Sequence, residues 1–372
     1  MANEDKAARY HRLRRRASML GILSSALLLV ILLLSGAAIA LRVLTDGIAG
    51  GSVVLSASLY AMMLVVMGEL LTLPLAYYEG MTLERRYGLG RQTMAGWLVD
   101  RVKAVGVASV MAIVGAVLIE ALMRSSPEYW WLLAAAVFSV LLVAVAHLAP
   151  VVLMPLFYTF RPLDRPALAA RLLALAQRAG TQVLGVFEWQ LSDRTRKANA
   201  ALAGLGRTRR ILVSDTLLAD HSDDEIEVIL AHELAHHVHR DIWSGLAFEG
   251  ILIALGLFVA DRVLNAMGGR FGLAGKDDIA ALPLLVLAAG GVSLCLVPVA
   301  NALSRWHERR ADRYALELTQ NPSAFVSAMK RLSMQNLAEE QPSPLVEWLF
   351  HSHPSTSARI AAAMAWTRST SA

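Results

Sequence analysis

Charge is scarce in this chain. Only 17% of its 372 residues are charged, against roughly a quarter in a soluble domain, while 56% are hydrophobic and the mean hydropathy is +0.49. Cysteine is nearly absent. Cys295 alone offers no internal disulfide and no Cys-x-x-Cys chemistry, which suits a chain whose polar parts lie in a reducing compartment. There is no internal repeat, and low complexity is confined to the leucine- and alanine-rich runs. Those runs explain the missing charge. Residues 20–41 (LGILSSALLLVILLLSGAAIAL) carry none, which is long enough to cross a bilayer core of about 30 Å. Residues 51–75, 103–123, 129–158 and 279–303 read as further spans. A sixth at 245–264 is weaker, because Glu249 and Asp261 interrupt or bound it. The composition implies a multi-pass membrane protein.

The first run is followed by more spans, which argues against a cleavable signal peptide. Its flank, HRLRRR at 11–16, is basic, and the connection 76–102 carries Arg85, Arg86, Arg91 and Arg101, whereas 42–50 and 124–128 are short and nearly uncharged. The positive-inside rule then puts the N-terminus, the 76–102 loop and 159–240 in the cytoplasm. This topology accounts for the net charge of +5 without a nucleic-acid partner. Four segments are expected. Residues 1–158 form a membrane region of four spans, 159–241 a polar segment, 242–303 a hairpin of two spans and 304–372 a C-terminal helical segment. Within 159–241, ALAARLLALAQRAG has helical leucine spacing and TQVLGVFEWQLSD looks extended. Ser222 with Glu225 three residues on is a capping box opening another helix.

That helix carries VILAHELAHHVHRD, residues 228–241. Residues four apart share a helix face, so His232 and His236 can present ring nitrogens to one ion. Glu233, beside the first of them, is placed to accept a proton from a water the ion activates for attack on a carbonyl. The bland alternative is a histidine-rich helix end near the membrane. A third ligand is available in WHERRADRYA: Glu308 lies just past the last span, as the His pair lies just before the fifth. A down-and-back hairpin returns the chain to the same depth. Asp312, one turn further on, is placed to accept the hydrogen bond of a ligating imidazole. Otherwise Glu308 and Asp312 are a solvated face partnered by Arg309, Arg310 and Arg313. Two His, one Glu and an open water position form a catalytic zinc set.

With these motifs in view, the sequence resembles the type I CAAX prenyl protease family of integral-membrane zinc metallopeptidases, of the gluzincin type with HExxH and a downstream ExxxD. The loop PLAYYEGMTLERRYGLGRQTMAGWLVDRVK (74–103), the segment SDRTRKANAALAGLGRTRRILVSDTLL (192–218) and HPSTSAR (353–359) resemble its other signatures, so the likeness covers most of the chain. It implies an all-α polytopic bundle enclosing a chamber, with a cytoplasmic-side zinc peptidase core holding one zinc per chain. His232, His236 and Glu308 would be the ligands and Glu233 the general base. Asn199 and Ala200 would hold the substrate as an added strand, His353 would stabilise the oxyanion, and Arg359 would pair with an acid near the metal such as Asp312. The plain alternatives are a surface turn for His353, with His351 as competitor, a loop residue for Asn199, and a structural ion pair for Arg359. The chain departs from the family in having His237 where tryptophan often follows the motif, and six spans where the eukaryotic enzymes are described with seven.

The substrates expected are peptides or proteins, either prenylated C-terminal peptides or unfolded and membrane-protein segments in quality control. The short length points to a prokaryotic member, working as a monomer in a bacterial inner membrane. A transporter or metal-handling protein would instead need facing ionisable groups at mid-membrane. Glu249, Glu120, Glu69 and His147 are available, but form no evident pair. A catalytically dead scaffold would have no use for Glu233.

Overall fold

The structure, a computed structural model, describes residues 5–204 and 208–370. It is mostly helical, and six of its helices are long and apolar enough to cross a membrane. The first half holds α1 (Lys6–Leu34), α2 (Ala37–Ala49), α3 (Val53–Tyr77), α4 (Met94–Ser125) and α5 (Trp130–Leu148). Two boundaries differ from expectation. Helix α1 begins at Lys6, so HRLRRR is helical, and the Asp5 carboxylate caps it by accepting from the Ala7 N–H. It ends at Leu34 because Gly36 adopts φ 75°, a left-handed conformation that glycine takes without a Cβ clash. The expected connection at 42–50 is therefore largely α2. Its 13 residues span about 20 Å at 1.5 Å each, too little to cross. Hydropathy cannot show such a break, because the residues on both sides are equally apolar. Of the 32 residues in α4, only Ala116, Glu120 and Met123 are buried. A helix in a solid bundle buries a whole stripe, so this bundle closes only loosely on itself.

The polar segment contains a small sheet of β1 (Phe160–Pro162), β2 (Val186–Trp189), β3 (Ala200–Ala203) and β4 (Arg210–Ser214), in the order β1-β2-β4-β3. Strands β2 and β4 are parallel, and the other pairs antiparallel. Helix α6 (Pro166–Arg178) lays Leu168, Leu172 and Leu175 into a core with Val186, Ile211 and Val213. After α7 (Asp215–Asp220) comes α8 (Asp223–Val238), whose Ile226 and Leu230 join that core. The membrane hairpin is α9 (Asp241–Met267) and α10 (Leu282–Thr319). The expected weak span is one unbroken helix in α9. Its Asp261 is fully buried and accepts from the Trp130 indole N–H at 2.7 Å. The chain closes with α11 (Pro322–Asn336), α12 (Pro344–Phe350) and α13 (Thr356–Thr370).

Ion pairs tie the polar parts to one end of the bundle. Lys197 meets Glu84 at 2.8 Å, Arg15 meets Glu339 at 2.8 Å, and Arg194 pairs with Asp100. The beginning of α1, the 76–102 connection and the sheet thus share that end. Arg42–Asp278 and Arg124–Glu120 mark the opposite one.

Candidate active site

Helix α8 starts with the expected capping box. Ser222 Oγ accepts from the Glu225 N–H at 3.3 Å and Glu225 Oε2 from the Ser222 N–H at 2.8 Å, satisfying two N-terminal donors. Its rigid register puts His232 and His236 one above the other, ring centroids 5.0 Å apart. Helix α10 returns from the membrane to bring Glu308 against both. His232 Nε2 lies 3.3 Å from Glu308 Oε2, and His236 Nε2 lies 3.5 Å from Glu308 Oε1. One ligand atom from each of the three lies within 4.8 Å of the others, the sole such group of His, Cys, Asp or Glu among the described residues. Glu308 Oε2 is buried without an aligned hydrogen bond, although His353 Nδ1 approaches to 2.8 Å. A buried carboxylate oxygen facing two imidazoles calls for a cation, so the residues fit a metal ion.

Each imidazole is held from behind. His232 Nδ1 is 3.0 Å from Asp312 Oδ1, and Arg359 clamps the same carboxylate through Nε at 2.8 Å and Nη2 at 2.6 Å. His236 Nδ1 is 2.9 Å from Asp241 Oδ2. Asp241 pairs in turn with Arg310, and its backbone carbonyl accepts from Ser244. Such partners fix the tautomer and leave the other nitrogen free to ligate. Asp241 was not singled out from the sequence. It reaches back because Arg240 takes φ 58° and reverses the chain between α8 and α9.

The electrostatics follow from burial. Burial alone would lower the His232 imidazole, but hydrogen bonds to Asp312 and Glu308 outweigh it and lift the pKa to about 9. His236 is raised as well, its bond to Glu308 overcoming burial. Burial pushes the Glu233 carboxyl up, against the pull of His232 and His236. Among the described residues no group hydrogen-bonds Glu233, which faces a cleft of about 470 Å³ also lined by Asn199, Ala200, His353 and Arg359. Five of the nine residues singled out from the sequence line this cleft, and His232, His236, Glu308 and Asp312 lie beside it, in contact with one another or with His353 and Arg359. His353 comes from the turn before α13 and is 62% exposed, so it reaches over the site from solvent. Asn199 immediately precedes the edge strand β3, where its N–H donates to Ser214 Oγ at 2.9 Å. His237 is neither a ligand nor solvent-facing: its Nε2 lies 3.1 Å from the Leu202 carbonyl of β3. Glu249 is exposed on α9, Glu69 pairs with Arg101, and Glu120 with Arg124.

Comparison with known proteins fits this geometry. The family model described as "Peptidase family M48" matches residues 162–367, more than half of the chain. The chain belongs to peptidase family M48. A second family model, "CAAX prenyl protease N-terminal, five membrane helices", matches residues 2–159, which hold four helices long and apolar enough to cross together with the short α2. An uncharacterized metalloprotease of Bacillus subtilis, YhfN, is 32% identical over 81% of this chain and 71% of its own length. CAAX prenyl protease 1 of Saccharomyces cerevisiae is 28% identical over 80% and 69%. The crystal structure of S. mikatae Ste24p shares the fold, with a TM-score of 0.87 over 96% of this chain and 88% of that one at 23% identity. The M48 chain described here is a multi-pass membrane metallopeptidase of the CAAX prenyl protease type, acting on peptides or proteins.

Proposed function

We propose that this chain is a zinc-dependent endopeptidase in which His232, His236 and Glu308 hold one zinc ion and Glu233 is the general base. The carrying observation is the convergence of ligand atoms from buried His232 and Glu308 and half-buried His236, beside a Glu233 carboxyl that no described residue hydrogen-bonds. Zinc, when bound, supplies Lewis acidity toward the scissile carbonyl and its attacking water. Glu233 takes the proton from that water and passes it to the leaving amine. His353, the exposed donor over the site, hydrogen-bonds the oxygen as charge develops on it. Asp312 with Arg359 orients His232, and Asp241 orients His236. Asn199 and Ala200 present the edge of β3, on which the substrate lies extended. All these groups come from one chain, which supports action as a monomer.

The basic start of α1 and the 76–102 connection share the end of the bundle that holds the site. By the positive-inside rule that end is cytoplasmic, in a bacterial inner membrane. Chain residues 1–158 anchor the enzyme, 159–241 supply the histidines, 242–303 form the hairpin and 304–372 bring in Glu308. We assign it extended segments of unfolded or membrane proteins, with prenylated C-terminal peptides as a narrower class within the same chemistry. The test gives the purified protein an unfolded casein-like protein and a farnesylated C-terminal peptide, with a non-prenylated twin. Cleavage of all three supports the broad reading. Cleavage of the farnesylated peptide alone restricts the function to prenyl processing.

A further inference from the structure

His353, the donor assigned to the oxyanion, stands on a stretch of chain with little packing of its own. The connection from α11 to α13 is pinned at its start, where the Asn336 carboxamide pairs with the Ala198 backbone at 2.9 and 3.1 Å and Glu339 meets Arg15. It then forms α12, none of whose residues is buried, with Leu345 and Trp348 exposed. His353 comes three residues after that helix ends, and its side chain is mostly exposed. Neither Ser352 nor His353 makes a hydrogen bond between main-chain groups among the described residues. Burial therefore does not fix His353, although a donor to a developing oxyanion must be closely placed.

What holds this stretch is α10. Asn301 Nδ2 donates to the Leu349 carbonyl at 2.8 Å, and Arg305 Nη1 donates to the carbonyls of Glu347 at 3.1 Å and His351 at 2.7 Å. These carbonyls belong to the last turn of α12 and its C-cap, where a helix runs out of its own donors. Arg305 is buried, and no carboxylate pairs with it among the described residues. A buried guanidinium without an anion is costly, and here backbone oxygens take the anion's place. Arg305 sits three positions before Glu308, about 4.5 Å along the axis, on the face that carries Glu308 and Asp312. One helix thus bears both the metal ligand and the clamp on the chain leading to His353, whose Nδ1 lies 2.8 Å from Glu308 Oε2. The other tie on His351 is weaker: its ring Nε2 lies 3.6 Å from Glu339, a side chain that Arg15 already holds.

We infer that Arg305 is a positioning residue for the reaction: by holding the His351 carbonyl it sets His353 over the metal site, without touching metal or substrate. This role rests on the oxyanion contact assigned to His353 above. The test is a double-mutant cycle on kcat, using the full chain in detergent and a fluorogenic peptide that carries a casein cleavage site. His353→Ala loses roughly 10²–10³-fold. Arg305→Met loses about tenfold or more by misplacing the donor, with KM within about twofold and zinc content unchanged. Arg305→Lys, which keeps a donor for one carbonyl, recovers part of that loss. Beside His353→Ala, Arg305→Met costs no more than about twofold, because the group it places is gone. A wild-type kcat in Arg305→Met overturns the inference, as does an equal loss in both backgrounds, the mark of a purely structural arginine. If Arg305→Met fails to fold or loses its zinc, the cycle is read with Arg305→Lys, where no loss, or a loss that persists beside His353→Ala, overturns it equally. If His353→Ala alone turns over as fast as the wild type, the oxyanion reading fails first and takes this one with it.

Discussion

The two ends of the bundle both gather charge, but they do so differently. At the far end Arg42, Asp46, Glu120, Arg124, Asp277 and Asp278 line a cavity of about 540 Å³, larger than the 470 Å³ cleft beside Glu308. There each cation has found an anion: Arg124 meets Glu120 at 2.8 Å and Arg42 meets Asp278. At the site end the carboxylates behind the histidines are paired, while the atoms in front of them converge on one point. Volume and charge density therefore do not mark the chemistry. Lone pairs held in place by partners on their far side do.

The sharpest way to break this contrast is Glu233→Gln, which should lower kcat by roughly 10²–10⁴-fold while zinc content stays at the wild-type level. Substitution behind the ligands should cost less. Asp241→Asn weakens the support of His236, and zinc affinity should fall roughly 10–100-fold in chelator titrations. Acidity offers a third handle. Glu233 must be ionised to accept a proton, and burial raises its pKa above the usual carboxylate range. Activity should be full above that raised value and fall as pH drops through it, giving a kcat profile whose acid limb lies above 4.5. The smallest effect on catalysis belongs to the far end, where Glu120→Gln should leave kcat/KM within about twofold, since Glu120 pairs with Arg124 at the end of the bundle away from Glu308 and shares no partner with the site. A large loss there would erase the distinction between the two ends.

What was legible in the sequence was local or followed from a simple return path. His232 and His236 share a face by helical spacing. Glu308 follows from a hairpin that must come back to the depth it left. The capping box needed only Ser222 and Glu225. The rest depended on backbone turns that residue types do not announce. Asp241 reaches His236 only because Arg240 takes a left-handed conformation. Gly36 splits an apolar run into α1 and α2, which hydropathy reads as one. Asn336 lies far from Ala198 in sequence, and their pairing depends on how α11 crosses the small sheet. His237 lies five residues past His232, off the face that His232 and His236 share, but its bond to Leu202 depends on the position of β3.

The central claim is that His232, His236 and Glu308 hold a catalytic metal served by Glu233. The direct measurement is zinc per chain alongside cleavage of unfolded casein, in the wild type, Glu233→Gln and Glu308→Ala purified identically. The account predicts about one zinc in the first two, little in the third, and cleavage by the wild type alone. A wild type that binds no zinc, or a Glu233→Gln that cleaves as fast as the wild type, would contradict it.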